Sequence, residues 1–151
     1  MKKLLTLCFV RKNDQVLLGL KKRGFGKGKW NGFGGKVEAG ESLEGAARRE
    51  LKEEACIEAG ELEEVGKLVF EFEGEEEKLE VHVFLTNSYS GDPCETEEMR
   101  PEWFDIKELP FDQMWLDDPH WLPPVLSGKN VQGTFLFRDI EKLLKSTVEE
   151  W

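Results

Sequence analysis

Residues 35–55 constrain the fold more than any other part of this chain. They run Gly35-Lys36-Val37-Glu38-Ala39-Gly40-Glu41 into a proline-free segment rich in Ala, Leu, Glu, Arg and Lys, which favours helix. Ser42 stands just before the first apolar residue, Leu43, where an N-cap belongs. With side chains set about 100° apart, Ala46, Ala47 and Leu51 gather on the Leu43 side, and Glu50, Glu53 and Glu54 fall within roughly 80° of it. Lys52, Arg48 and Gly45 take the opposite side. Three carboxylates thus share the inward arc with small apolar residues, and unpaired charge there is costly unless something positive meets it. A hard cation with oxygen ligands, above all magnesium, meets that need. Arg49 can reach back to Glu41 or on to Glu53 and hold the acids in place. The plainer account, a solvated helix laced by i, i+4 ion pairs, would put the acids beside Lys52 instead.

The spacing of Gly35, Glu41, Arg49, Glu50, Leu51, Glu53, Glu54 and Ile57 resembles the Nudix hydrolase signature, Gly-x5-Glu-x7-Arg-Glu-U-x-Glu-Glu-x-Gly-U, with U apolar. Cys56 stands where that signature has glycine. A side chain in the left-handed backbone that often ends such a helix costs about 1 kcal/mol, unless the turn differs. The resemblance implies an α/β fold, the Nudix α/β/α sandwich with a mixed β-sheet, in a single domain over residues 1–151. It also implies a Mg2+ cofactor, for which Mn2+ can substitute, held by the Gly34 carbonyl, Glu50, Glu53, Glu54 and Glu98. Those four glutamates form the expected catalytic set, with the general base left open among Glu54, Glu50 and Glu98.

The chain is long enough for one domain with a real core. No apolar run is long enough to cross a bilayer, and the start Met1-Lys2-Lys3-Leu4-Leu5 is too short in apolar residues for a signal peptide. Cys8, Cys56 and Cys94 lie scattered with no C-x-x-C spacing, which favours free thiols in a reducing compartment over disulfides or zinc. The expected location is therefore the cytoplasm, with mitochondrial or nuclear pools, and the expected state is a monomer. A net charge of −10 argues against a nucleic acid polymer as partner. The positive charge is local: Lys21, Lys22, Arg23, Lys27, Lys29 and Lys36 cluster just before the glutamate helix.

Residues 4–10 and 15–20 read as strands joined by a turn at Lys12-Asn13-Asp14. The glycine-rich run 24–35 matches neither a P-loop nor a dinucleotide fingerprint, yet it lets backbone approach phosphates beside the helix. Residues 62–72 and 79–86 read as strands around a solvated acidic loop. Alternation along the second of these predicts one buried and one open face, with His82 a structural residue, as is His120. A short strand is expected near Trp103 and short helical turns over 106–110 and 111–114. A helix is expected over 119–126 and a strand over 131–138. The end of the chain is ambiguous between strand and helix.

Met114-Trp115-Leu116-Asp117-Asp118 is the second informative stretch. Taken alone, its adjacent carboxylates are a turn or helix cap, or a pair reading a purine edge. In a partly dry pocket both could not easily stay ionised, so one would keep a proton and act as a donor. Together with 21–26, 30–36, 70–72 and 98–101, this stretch is similar to the vertebrate MutT-homologue branch of the Nudix family, which hydrolyses oxidised purine nucleoside triphosphates. Leu116 departs from that branch's usual proline, and Leu79 from its methionine. The likeness implies substrate contacts from Thr6, Lys21, Phe25, Asn31, Phe33, Gly34, Gly35, Lys36, Phe70, Leu79, Trp115, Asp117 and Asp118. It implies hydrolysis of 8-oxo-dGTP and 2-hydroxy-dATP to monophosphate and pyrophosphate, cleansing the nucleotide pool, with no membrane partner. A Nudix enzyme for dinucleotides, nucleotide sugars or RNA caps, and a silent nucleotide sensor, are the alternatives.

Overall fold

Cys8, Phe9 and Val10 are consecutive and all fully buried, so both faces of the strand that carries them must be covered. In the computed structural model, which describes residues 2–150, that strand is β1, Lys2–Lys12. It is followed by β2 (Gln15–Lys21), β3 (Trp30–Asn31), β4 (Phe33–Lys36) and helix α1 (Leu43–Ala55). Next come β5 (Glu58–Ala59), β6 (Glu63–Phe72), β7 (Lys78–Thr86), β8 (Tyr89–Ser90) and β9 (Met99–Asp105). Helix α2 (Asp118–Leu126) and the hairpin β10 (Val131–Asp139) and β11 (Lys142–Glu150) complete the chain.

The main sheet runs β11-β10-β6-β7-β1-β2-β3, with β4 added on β1 and β9 on β2. It is mixed: β1 lies parallel to β7 and β10 parallel to β6, while the other pairs are antiparallel. On one edge β1 pairs with β7 along most of its length. Its other edge forks, with Leu5 to Cys8 pairing β4 and Val10 to Lys12 pairing β2.

Period-2 alternation sends side chains to two separate cores. Cys8, Val10, Leu17 and Phe84 pack with Ala47, Leu51 and Ala55 of α1. Phe9, Val16, Leu18 and Val83 pack with Trp121, Leu122 and Val125 of α2. The sheet is the middle layer between helices, the expected α/β/α sandwich. The chain end resolves as strand, and the helical turns expected near 110 reduce to one 3-10 turn, Phe111–Gln113.

Two expectations need correction. The second face of β7 is not open: Phe84, Thr86 and His82 are buried on it, because both faces of this central strand are covered. His82 is held there between Glu64 (2.9 Å) and Glu80 (2.8 Å). The cysteines are not three separate thiols either. Cys56 and Cys94 form a disulfide across 38 residues, with Cα atoms 5.6 Å apart, and only Cys8 is free among the described residues. No helix among the described residues is long and apolar enough to cross a membrane.

Candidate active site

Helix α1 starts as its sequence asks: Ser42 is extended (φ −77°, ψ 161°) and its Oγ accepts from Gly45 N at 2.9 Å. It ends on Cys56 in left-handed backbone (φ 65°, ψ 20°), whose N–H donates to Lys52 O. Between these ends the acids divide. Glu54 is 7% exposed and its Oε1 accepts from Gly34 N at 2.9 Å. Burial raises its pKa to about 7 against the opposing pull of that N–H. Glu50 is largely covered, and burial raises its pKa too, with Arg49 opposing. Glu53 corrects the inward reading: its side chain is 58% exposed, since the edge of the arc opens to solvent.

Arg49 joins these acids. Its guanidinium donates to Glu41 Oε2 (2.7 Å) and Oε1 (3.0 Å), to Glu50 Oε1 (2.8 Å) and to Glu53 Oε2 (3.2 Å). Its Nη2 also reaches the Lys36 carbonyl at 3.1 Å. The backbone opposite leaves no room for a side chain at Gly34, and at Gly35 one would displace the Glu50 carboxylate. A Cβ on Gly34 would lie 1.8 Å from Thr6 O, and one on Gly35 would lie 2.8 Å from Glu50 Oε1. Glu98 comes in from the start of β9, bound by Arg23 Nε at 2.8 Å and Lys21 Nζ at 3.3 Å, and Arg23 lowers its pKa. With the acids so engaged, no three His, Cys, Asp or Glu side chains among the described residues converge at metal-ligand spacing.

From Glu54 and Gly34 a pocket of about 280 Å³ extends over the sheet. Phe25, Trp115, Phe70 and Phe72 form its aromatic wall, with Phe25 63% exposed at the mouth, 5.1 Å from the Trp115 ring. Phe70 lines the cavity and is stacked on Phe135 at 5.4 Å. Asn31 Oδ1 accepts from Gly32 N at 2.8 Å, and its amide N–H groups have no partner among the described residues.

Asp117 and Asp118 close the inner end. Asp117 stands at the N-cap position of α2, yet its side chain makes no capping bond. It accepts instead from Trp121 Nε1 at 2.7 Å. Among the described residues no other group hydrogen-bonds the buried Asp117 Oδ1, Asp118 Oδ2 or Thr6 Oγ1, and the two carboxyl groups lie within hydrogen-bond reach of each other. A buried oxygen left without a partner costs about 1–3 kcal/mol, which a ligand's polar edge would recover. Burial raises Asp117 to a pKa of about 6 despite the Trp121 bond. Burial, and then Asp117 itself, push Asp118 well above the usual carboxylate range. Near neutral pH the pair therefore offers one donor and one acceptor.

The Nudix domain model matches residues 1–125. The chain belongs to the Nudix family. This Nudix chain is 51% identical over 148 residues to the oxidized purine nucleoside triphosphate hydrolase of Danio rerio, covering 98% of its own length and 95% of that protein. The Mus musculus protein of the same name is 46% identical over the same shares. Among solved structures, the MutT protein of Bacillus halodurans superposes with a TM-score of 0.84 at 27% identity, covering 97% of each chain.

Of the expected substrate contacts, Thr6, Lys21, Phe25, Asn31, Gly34, Gly35, Phe70, Leu79, Trp115, Asp117 and Asp118 line the pocket of this Nudix domain. Phe33 and Lys36 do not. Phe33 is fully buried in the α1 core, because alternation along β4 turns it away from the cavity, and Lys36 is exposed at the end of that strand. Phe72, Val81 and Trp121 line the pocket without having been singled out. The first two share a strand face with Phe70 and Leu79, so period-2 spacing was signal enough. Trp121 sits four residues after Asp117, one helical turn on.

Proposed function

We propose that this Nudix chain hydrolyses oxidised purine nucleoside triphosphates, such as 8-oxo-dGTP and 2-hydroxy-dATP, to monophosphate and pyrophosphate. The observation that carries this reading is the pair of buried oxygens on Asp117 and Asp118, which no other described group hydrogen-bonds, at the end of an aromatic slot. Flat faces suit any base, so selection rests on the polar end. A protonated Asp118 donates to a purine oxygen while an ionised Asp117 accepts from a ring N–H. Moving the proton between the two lets the same pair meet a purine with another pattern. The Asn31 amide adds a further donor, and Lys21 stands between pocket and Glu98 to meet the phosphates.

A divalent ion, Mg2+ with Mn2+ as substitute, suits the other end. Glu54 is buried with a raised pKa and no cationic partner among its hydrogen bonds, the condition a hard cation relieves. Glu50, Glu53, Glu54, Glu98 and the Gly34 carbonyl are the oxygen donors that would hold it. When bound, it supplies charge neutralisation on the phosphates and a more acidic attacking water. Arg49 keeps Glu50 oriented, and Gly34 N keeps Glu54 oriented. Glu54, whose pKa burial raises to about 7, is the proton acceptor we favour.

The chain acts as one domain over 1–151, since β10 and β11, beyond the matched segment, continue the same sheet through β6. We assign it to the cytoplasm, with mitochondrial or nuclear pools, as a monomer without a nucleic acid polymer or membrane partner. Steady-state pyrophosphate release with and without Mg2+, on oxidised and ordinary purine triphosphates, tests the reading. The expected result is a metal-dependent preference of at least about tenfold for the oxidised purines, the worth of one polar contact. Faster cleavage of dinucleotides, nucleotide sugars or capped RNA would replace it, and no turnover of any nucleotide would leave only a binding protein.

A further inference from the structure

We propose that Cys56 and Cys94 are a reversible thiol–disulfide site that clamps the loop carrying Glu98 onto the C-terminal end of α1. Cys56 ends the helix that holds Glu50 and Glu54, and Cys94 precedes Glu98 by one loop. Their Cα separation of 5.6 Å lies within the range a disulfide requires without backbone movement. Both residues are only half-buried, so a small thiol or disulfide can reach them, whereas Cys8 is fully buried.

The same loop already docks on the helix end through the chain's own hydrogen bonds. Cys94 N donates to Ala55 O at 3.1 Å, and Thr96 Oγ1 donates to Glu54 O at 3.1 Å. These are terminal helix carbonyls that have no intrahelical partner. Gly91, in left-handed backbone (φ 94°), lets the loop pass so close that a Cβ there would lie 2.9 Å from Cys56 O. Thr96 Oγ1 also accepts from Glu98 N (3.3 Å) and Met99 N (3.2 Å), so Glu98 follows Thr96. The disulfide adds a covalent tie between this loop and the helix end, beside these hydrogen bonds and the Arg23 and Lys21 ion pairs that hold the Glu98 carboxylate.

Closure proceeds by exchange with a low-molecular-weight disulfide. One cysteine sulfur attacks it, releasing a small thiol and forming a mixed disulfide. The second cysteine then attacks the protein sulfur, releasing the other small thiol. Two protein thiols are oxidised, the small disulfide is reduced to two thiols, and both cysteine protons end on those thiols. The clamp thus closes under the oxidising conditions that also damage purines. The effect on turnover rests on the proposed function, because it acts through Glu98 at the phosphates.

The test compares the wild-type chain with Cys94→Ser and Cys56→Gly, each equilibrated with oxidised glutathione and then with a phosphine reductant. Thiol titration after denaturation, Tm, and the KM and kcat for 8-oxo-dGTP with Mg2+ are read in both states. Wild type should pass reversibly from three thiols to one. Oxidation should raise Tm by on the order of 10 °C, as closing a loop of this length allows. It should also lower KM on the order of fivefold, about one hydrogen bond's worth, with little change in kcat. Each variant lacks the second sulfur, so it can lose at most one thiol to a mixed disulfide and should show neither the Tm nor the KM shift. Three thiols persisting in wild type under oxidant would overturn the proposal, as would a disulfide that leaves KM unmoved in an active enzyme. Reversible thiol loss and a Tm shift without turnover of any nucleotide would leave the clamp standing and remove the proposed function instead.

Discussion

Asp117→Asn tests the polar end of the pocket through stability, independently of any substrate. Asp117 has its pKa raised from an ordinary 3.8 to about 6, chiefly by burial. A raised folded pKa means that the neutral form is favoured by folding, so its contribution is fully present below 3.8 and is lost as pH rises through about 6. Each tenfold change in proton affinity is worth about 1.4 kcal/mol. The loss between pH 4 and pH 8 is therefore about 2 kcal/mol from this group alone. Asparagine stays neutral, and its amide oxygen can still accept from Trp121 Nε1. It also removes the like charge that helps to raise Asp118, which acts in the same direction. Urea unfolding of wild type and variant at both pH values isolates the term, because Glu54, also raised, is common to both. The variant should lose at least about 2 kcal/mol less than wild type on going from pH 4 to pH 8. Parallel losses in the two proteins would show that Asp117 does not titrate while buried, and would refute the shared-proton pair.

Glu54→Gln should retain nucleotide binding by calorimetry while turnover falls at least about a hundredfold; near-normal turnover would remove Glu54 from the mechanism. Gly34→Ala should fail to reach a stable fold, since its Cβ would meet Thr6 O at 1.8 Å, and a Tm within a few degrees of wild type would contradict that crowding. Trp121→Phe removes the donor to Asp117 Oδ2 while keeping most of the ring packing. It should raise the pKa of Asp117 and weaken purine selectivity several-fold without altering hydrolysis of an unselective triphosphate, as read from KM and kcat over a pH series.

Helix α1 was legible because period, cap and glycine-rich approach all pointed the same way. Side-chain angle alone could not tell depth, however: Glu53 lies at the edge of the same arc as Glu54 yet opens to solvent. In β4 the alternation that turns Phe33 into the α1 core is invisible in sequence, because glycine has no side chain to mark the other face. The meeting of Cys56 and Cys94 depends on how a distant loop docks on a helix end, and no local spacing encodes that. The Asp117-Asp118 pair was ambiguous until α2 could be seen to start without a capping bond from Asp117. Residues 142–150 carry too few apolar side chains for either period to stand out, and their strand is imposed by pairing with β10.

The forked edge of β1 turns that strand into a measuring rod. Thr6 faces the cavity two residues before Cys8, and the backbone beside it holds Gly34 and Gly35, against which Glu54 and Glu50 rest. On the proposed function, the span from ring to tail of a bound nucleotide would be gauged by covalent backbone rather than by surface loops. An inserted residue in β1 would put the two ends out of step, whereas one in the acidic turn after β6 would leave that span intact.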